Sequence, residues 1–171
     1  MSDARESISI SRRNFFRGKK MLSTPNFRLP WVLNEAIFLQ GCTQCGDCIS
    51  SCPEKIISKD DDGFPKIDFF QGECTFCQRC VDVCQQPLFT APSETTPWQG
   101  HLNIKDNCLA SNNILCQSCQ DSCEQQAISF VYRSAIPTPE INQDNCNACG
   151  ACISVCPSQS IELLKLESNP S

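Results

Sequence analysis

Apolar residues in this chain come in short runs, separated by polar and cysteine-rich loops, with no long periodic stretch. Ile56-Ile57 and Phe64-Pro65-Lys66-Ile67-Asp68-Phe69 flank Asp60-Asp61-Asp62-Gly63, the pattern of a hairpin with an Asp-Gly-rich turn. The acidic run reads most simply as solvated turn. His101-Leu102-Asn103-Ile104 and Ala127-Ile128-Ser129-Phe130-Val131 read as strands, the latter followed by a turn near Pro137 to Pro139. Leu29-Pro30-Trp31-Val32 reads as chain lying over the first domain, with Trp31 packed rather than functional. For Asn34 to Leu39, periodicity leaves helix and strand open. These elements predict an α+β chain of short hairpins and short helices. No run approaches the roughly 20 apolar residues that span a membrane.

Between the elements lie four cysteine sets. Cys42, Cys45, Cys48 and Cys52 form the first, and Cys74, Cys77, Cys80 and Cys84 repeat its spacing 32 residues later. Cys108, Cys116, Cys119 and Cys123 form the third, with five extra residues between its first two members; Cys146, Cys149, Cys152 and Cys156 are regular again. Those 16 residues are every cysteine of the chain. Three closely spaced cysteines wrap one iron–sulfur cubane, while the fourth reaches a second one. Crossed ligation follows for each pair of sets. One cluster takes Cys42, Cys45, Cys48 and Cys84, and the next Cys74, Cys77, Cys80 and Cys52. A third takes Cys108, Cys116, Cys119 and Cys156, and the last Cys146, Cys149, Cys152 and Cys123.

Disulfides and zinc are the competing uses of such cysteines. C-x-x-C-x-x-C crowds three thiols too tightly for long-range disulfides, and no secretory apolar region precedes them. Zinc sites take two pairs and have no use for a third cysteine followed by Cys-Pro. Gln85 and Glu124 stand where Pro53 and Pro157 follow their cysteines, which alters a turn and removes no ligand. Gly41 and Gly46 fall where backbone must pass close to inorganic sulfide. Ile56, Ile57 and Ile67 are expected to shield the clusters, and Leu109 to Leu115 to lie near one of them. Arg79, beside Cys80, either neutralises cluster charge or is simply exposed. His101, the one histidine, is read as a strand or surface residue, since no set lacks a ligand.

Composition sharpens the picture. Leu, Ile, Val and Phe number 40 of 171 residues, few enough that cluster binding and folding should be coupled. Formal charge is −5 with neutral thiols, and four cubanes with their thiolates would bring it to about −13. That balance argues against nucleic acid and suits a basic docking surface on a partner. Labile clusters require a reducing compartment. No glycine-rich nucleotide loop and no poised base point to an independent enzyme.

Residues 1–30 differ, carrying Arg5, Arg12, Arg13, Arg17, Lys19, Lys20 and Arg28 against Asp3 and Glu6, a net +5 before a body of −10. Ser11-Arg12-Arg13-Asn14-Phe15-Phe16-Arg17-Gly18 is similar to a twin-arginine export signal but lacks the apolar run that should follow. It reads as a solvated, flexible basic head, or as a docking segment in which Arg12, Arg13 and Arg17 supply charge and Phe15 and Phe16 an apolar anchor. Ala91 to Pro97, polar and proline-rich, divides a first domain at 31–97 from a second at 98–171.

The four sets resemble two bacterial bicluster ferredoxin modules in series. With the basic head and the widened third set, the chain resembles the NapF-type ferredoxins along essentially its whole length. That resemblance implies two tandem 2[4Fe–4S] ferredoxin-like modules arranged with pseudo-two-fold symmetry, and a cytoplasmic accessory protein rather than a catalyst. Its expected partner is the catalytic subunit of periplasmic nitrate reductase, met as a cytoplasmic precursor before export. The other reading is an electron-wiring component held permanently in a larger redox complex.

Overall fold

The computed structural model describes residues 27–92, 97–98 and 100–165. Its helices are α1 (Glu35–Gly41), α2 (Asp47–Ser51), α3 (Arg79–Asp82), α4 (Ser118–Asp121) and α5 (Ala151–Ser154). Its strands are β1 (Ile57–Lys59), β2 (Pro65–Ile67), β3 (Gly100–Ile104), β4 (Ile128–Val131), β5 (Thr138–Ile141) and β6 (Ile161–Lys165). The strands pair antiparallel as β1–β2, β3–β6 and β4–β5. Each half therefore carries an inner hairpin between its two cysteine sets. The outer pair of the second half is β3–β6, registered from Gly100 opposite Lys165 to Ile104 opposite Ile161. In the first half the corresponding pairing shrinks to a bridge between Val32 and Phe89, flanked by hydrogen bonds Leu33 N–H to Leu88 O and Thr90 N–H to Trp31 O.

Local chemistry explains each element. Asn34, in extended conformation, caps α1 by accepting the Ile37 N–H at 2.8 Å, and Glu35 follows in the first turn where negative charge suits the helix dipole. This decides the Asn34 to Leu39 stretch for helix. At the tip of β1–β2, Asp60 Oδ1 accepts the N–H groups of Asp62 and Phe64, and Gly63 supplies a φ of +87°. Asp60 itself is not a solvated turn residue: its side chain is 4% exposed and pairs with Arg28. The turn expected near Pro137 to Pro139 falls earlier. Thr138 and Pro139 already belong to β5, with Pro139 opposite Phe130; Pro is tolerated in a two-stranded ribbon because every strand there is an edge.

Buried residues of both halves form one apolar core. Phe27, Leu29, Phe38, Ile56, Ile67, Phe69 and Leu88 join Leu102, Ile128, Ile153, Ile161 and Leu163. Residues 27–30, which charge assigns to the basic head, belong to this core: Phe27 and Leu29 are buried, and the Phe27 carbonyl accepts the Ile67 N–H at 2.7 Å. Arg28 is buried as well. It donates to Glu35 Oε1 at 2.8 Å, Asp60 Oδ2 at 2.7 Å and the Pro65 carbonyl at 3.2 Å, and lies over the rings of Phe38 and Phe64. Burial opposes its charge, yet these partners hold the guanidinium pKa above its ordinary value.

Candidate metal centres

Each cysteine set is displayed by a tight loop running into a one-turn helix. In the three regular sets the residue before the second cysteine (Gln44, Phe76, Ala148) and the residue after it (Gly46, Gln78, Gly150) all have positive φ. Left-handed residues on either side of a cysteine alternate the backbone conformation, which suits a concavity of N–H groups that favours an anion, the arrangement many iron–sulfur sites use. The third cysteines then sit on α2, α3, α4 and α5, and each fourth cysteine follows its helix. After the fourth cysteine, Lys55, Gln126 and Gln159 again have positive φ. The equivalent residue in the second set is Pro87, whose ring forbids that conformation. Before the second cysteine of the third set the left-handed residue is Asn113, inside the extra loop and beyond the short 3-10 turn Ala110–Asn112.

Around these loops the cysteines line four separate cavities. Cys42, Cys45, Cys48 and Cys84 face the first, beside Leu29, Phe38 and Leu88. Cys52, Cys74, Cys77 and Cys80 face the second, beside Ile56, Ile57 and Ile67. Cys108, Cys116, Cys119 and Cys156 face another, with Leu109 and Ile161. Cys123, Cys146, Cys149 and Cys152 line the remaining one, with Ile128 and Leu163. Every cavity thus draws three thiols from one set and the last from its neighbour. Among the described residues no group of three or more Cys, His, Asp or Glu side chains converges as it would on a single metal ion. The donor sets instead surround apolar-walled spaces, and four thiols around such a space fit a cubane that covers its own sulfides.

Electrostatics agree with a site that must be loaded to be comfortable. Burial pushes the Cys48 thiol up to about 11, and neighbouring Cys42, Cys45 and Cys84 add to the rise. Burial likewise drives Cys74 and Cys119 to about 11, and Cys80 and Cys152 to about 12. Such thiols are protonated at neutral pH, and a cationic iron core would bind in place of the protons. Cys156 departs from the trend. Burial raises its pKa, but hydrogen bonds from Ser160 and Ser158 more than offset this and hold it below the ordinary thiol value.

Several residues that the sequence singled out stand elsewhere. Gly46 has the turn geometry expected, with φ of +88°, whereas Gly41 ends α1 and is small because a Cβ there would lie 2.7 Å from Leu88 Cδ2. Arg79 is exposed, and His101 lies on β3 within 3.5 Å of the Gln143 amide. Leu109 lines a cavity, while Ile114 and Leu115 are exposed. Arg12, Arg13, Phe15, Phe16 and Arg17 lie outside the described residues. What sequence reading missed is the second layer around sulfur. Ser158 and Ser160 on Cys156, and the Ala127 N–H on Cys123, carry no spacing signature beyond a hydroxyl-rich Ser-Gln-Ser after Cys156-Pro157.

Comparison with known proteins places the same features in a family. The 4Fe-4S dicluster domain family matches residues 41–86 and again 114–160. The second match starts after Cys108, where the extra loop departs from the regular spacing. The chain is 42% identical to the ferredoxin-type protein NapF of Haemophilus influenzae, covering 94% of this chain and 97% of that protein. It is 39% identical to the ferredoxin-type protein NapF of Escherichia coli (strain K12), covering 90% and 94%. A more distant likeness, 31% identity over 72% of this chain and 47% of the other, is to a component of the ion-translocating oxidoreductase complex of Methanosarcina acetivorans. Among the described residues no helix is long and apolar enough to cross a membrane.

Proposed function

The chain belongs to the NapF-type ferredoxins, and from that premise we propose that it carries four [4Fe–4S] clusters on its 16 cysteines in two ferredoxin-like modules, at 31–97 and 98–171. The ligand sets are Cys42, Cys45, Cys48 and Cys84; Cys74, Cys77, Cys80 and Cys52; Cys108, Cys116, Cys119 and Cys156; and Cys146, Cys149, Cys152 and Cys123. The observation that carries this reading is the lining of four cavities by those same four crossed sets. When bound, the clusters supply one-electron chemistry. The chain's own residues fix their thiolates, present backbone N–H groups to their sulfurs, and keep water away with Ile56, Ile57, Ile128 and Ile161.

Its task in the cytoplasm is to serve the catalytic subunit of periplasmic nitrate reductase in precursor form, assisting its maturation with electrons or clusters before export. No substrate pocket is required for that work, only a docking face and a redox chain. A second reading, a wiring component fixed in a larger redox complex, is favoured by the likeness to the ion-translocating oxidoreductase component. The two separate in one experiment. Protein reconstituted anaerobically should hold about sixteen irons per chain and should capture the unexported catalytic subunit transiently. About eight irons in fully folded protein would refute the four-cluster reading. Stoichiometric copurification with a membrane-bound redox complex, and no capture of the precursor, would favour the wiring component.

A further inference from the structure

The two modules touch through their cysteine loops. Cys74 opens the second set, and its N–H donates to the carbonyl of Cys149, in the fourth set, at 2.8 Å. Directly beside that bond, Gly150 faces the Phe69 ring so closely that a Cβ would lie 2.0 Å from Cδ1. Only glycine lets the fourth-set loop approach the first module this far. A run of edge-to-face aromatic contacts lies at the junction, Trp98 of the second module packing on Phe69 at 5.5 Å and Phe76 at 5.7 Å, which are backed in turn by Phe27 at 6.1 Å and Trp31 at 6.3 Å. Phe76 is itself inside the second cysteine loop, and Trp98 Nε1 donates to the Arg28 carbonyl at 3.1 Å.

Within each module the sets are joined differently. Helix α2 of the first set packs on α3 of the second, and Ser51 Oγ donates to the Arg79 carbonyl. Helix α4 of the third set packs on α5 of the fourth. Sets one and two are therefore neighbours, sets four and three are neighbours, and the bond between Cys74 and Cys149 brings set two against set four.

We propose that the four sites form one unbranched relay in the order of sets one, two, four and three, crossing between modules at the contact of Cys74 with Cys149. The chain order of the sets is thus not the order of electron passage. This rests on the four-cluster reading above. Sites of sets one and three become the terminals, at opposite ends. With clusters bound, each step would move one electron from a reduced site to its oxidised neighbour, with no bond made or broken. A reduced one-electron carrier protein would supply the electron at one terminal, and an oxidised one-electron acceptor protein would remove it at the other.

Two measurements test the order, both on the full chain. An iron-edge anomalous difference map from crystals of the intact holoprotein should show the sites of sets two and four as the nearest inter-module pair; any other inter-module pair lying nearer overturns the proposal. Electron paramagnetic resonance of reduced Cys77→Ala protein should show the set-one signal freed of dipolar broadening, while sets three and four stay coupled. A set-one signal that remains broadened in the absence of its set-two neighbour also overturns the order. Failure of the four-cluster reading is seen separately, as wild-type iron content well below about sixteen before any coupling is measured.

Discussion

The Cys156 sulfur accepts from the Ser160 N–H and lies 3.3 Å from the Ser160 hydroxyl, which is supported in turn by Ser158. Its counterpart in the repeat, Cys123, has the same backbone contact from Ala127 N–H at 3.3 Å, but alanine there can offer no hydroxyl. A hydrogen bond to thiolate sulfur stabilises the more negative, reduced cluster more than the oxidised one, and so raises its potential. Ser160→Ala should therefore lower one of the four potentials by roughly 40 mV, about 1 kcal/mol for a one-electron couple. The other three potentials and the iron content should stay as they were. Potentiometric titration followed by electron paramagnetic resonance reads this directly, and four unmoved potentials would sink the idea. The gathering of three cysteines from one set and one from its neighbour around each cavity was legible from spacing alone. The serines were not, because hydrogen bonds to sulfur can come from any polar residue that folding brings near.

Among the elements, the β1–β2 hairpin and the cysteine loops were readable from the sequence, since an Asp-Gly turn and cysteine spacing are local signals, whereas the β4–β5 turn lacks such a signal and falls earlier than expected. Leu29 to Val32 was also readable as packed chain, but the burial of Phe27 and Arg28 just before it was not. The charge there suggested a continuation of the basic head, whereas Arg28 is neutralised by Glu35 and Asp60, residues 7 and 32 positions away. Composition cannot report a pairing made at that separation. Glu35 also binds Lys165 of β6 at 3.2 Å, so one carboxylate ties α1 to the entry segment and to the last strand. Arg28→Met should leave Asp60 buried without its cation and weaken this latch by about 2 kcal/mol. Hydrogen exchange is the suitable readout: the Ile67 amide, which donates to Phe27 O, should exchange on the order of 30-fold faster. Unchanged protection would show that the segment is held by its apolar contacts alone. Acid should act on the same contact. Burial would raise the Asp60 pKa, but the Arg28 hydrogen bond and the Phe64 and Asp62 N–H groups depress it overall. A depressed carboxylate contributes stability that is present above its unfolded value near about 3.9 and is lost as pH falls through the folded value. Protection at Ile67 should thus fall on acidification below about pH 4 in the parent and show no such step in Arg28→Met, acid damage to clusters being common to both.

At the scale of the whole molecule, two modules share a single apolar core and meet through cysteine loops. Four bound clusters would make the molecule strongly negative, about −13 for the whole chain. The opposite sign is concentrated in residues 1–30, at +5. A partner that receives electrons must bring its own redox centre close to a terminal site, and an acidic body alone would be drawn only to basic surfaces. Arg12, Arg13 and Arg17, with Phe15 and Phe16 among them, offer different chemistry: charge for acidic patches of the client, and aromatic area for a pocket. The competing role is intramolecular, with the arginines shielding the acidic body. Replacing Arg12, Arg13, Phe15 and Phe16 together touches no ligand, so iron content and potentials should be unchanged under docking. Affinity for the immature catalytic subunit, measured by isothermal titration, should then drop at least tenfold, the cost of losing about 1.4 kcal/mol of anchor contacts. Under the shielding role the result inverts: affinity holds or improves, while potentials fall because nearby positive charge has been withdrawn from the clusters. A mutant that binds as tightly as the parent, in a titration where the parent binds measurably, would exclude the docking segment.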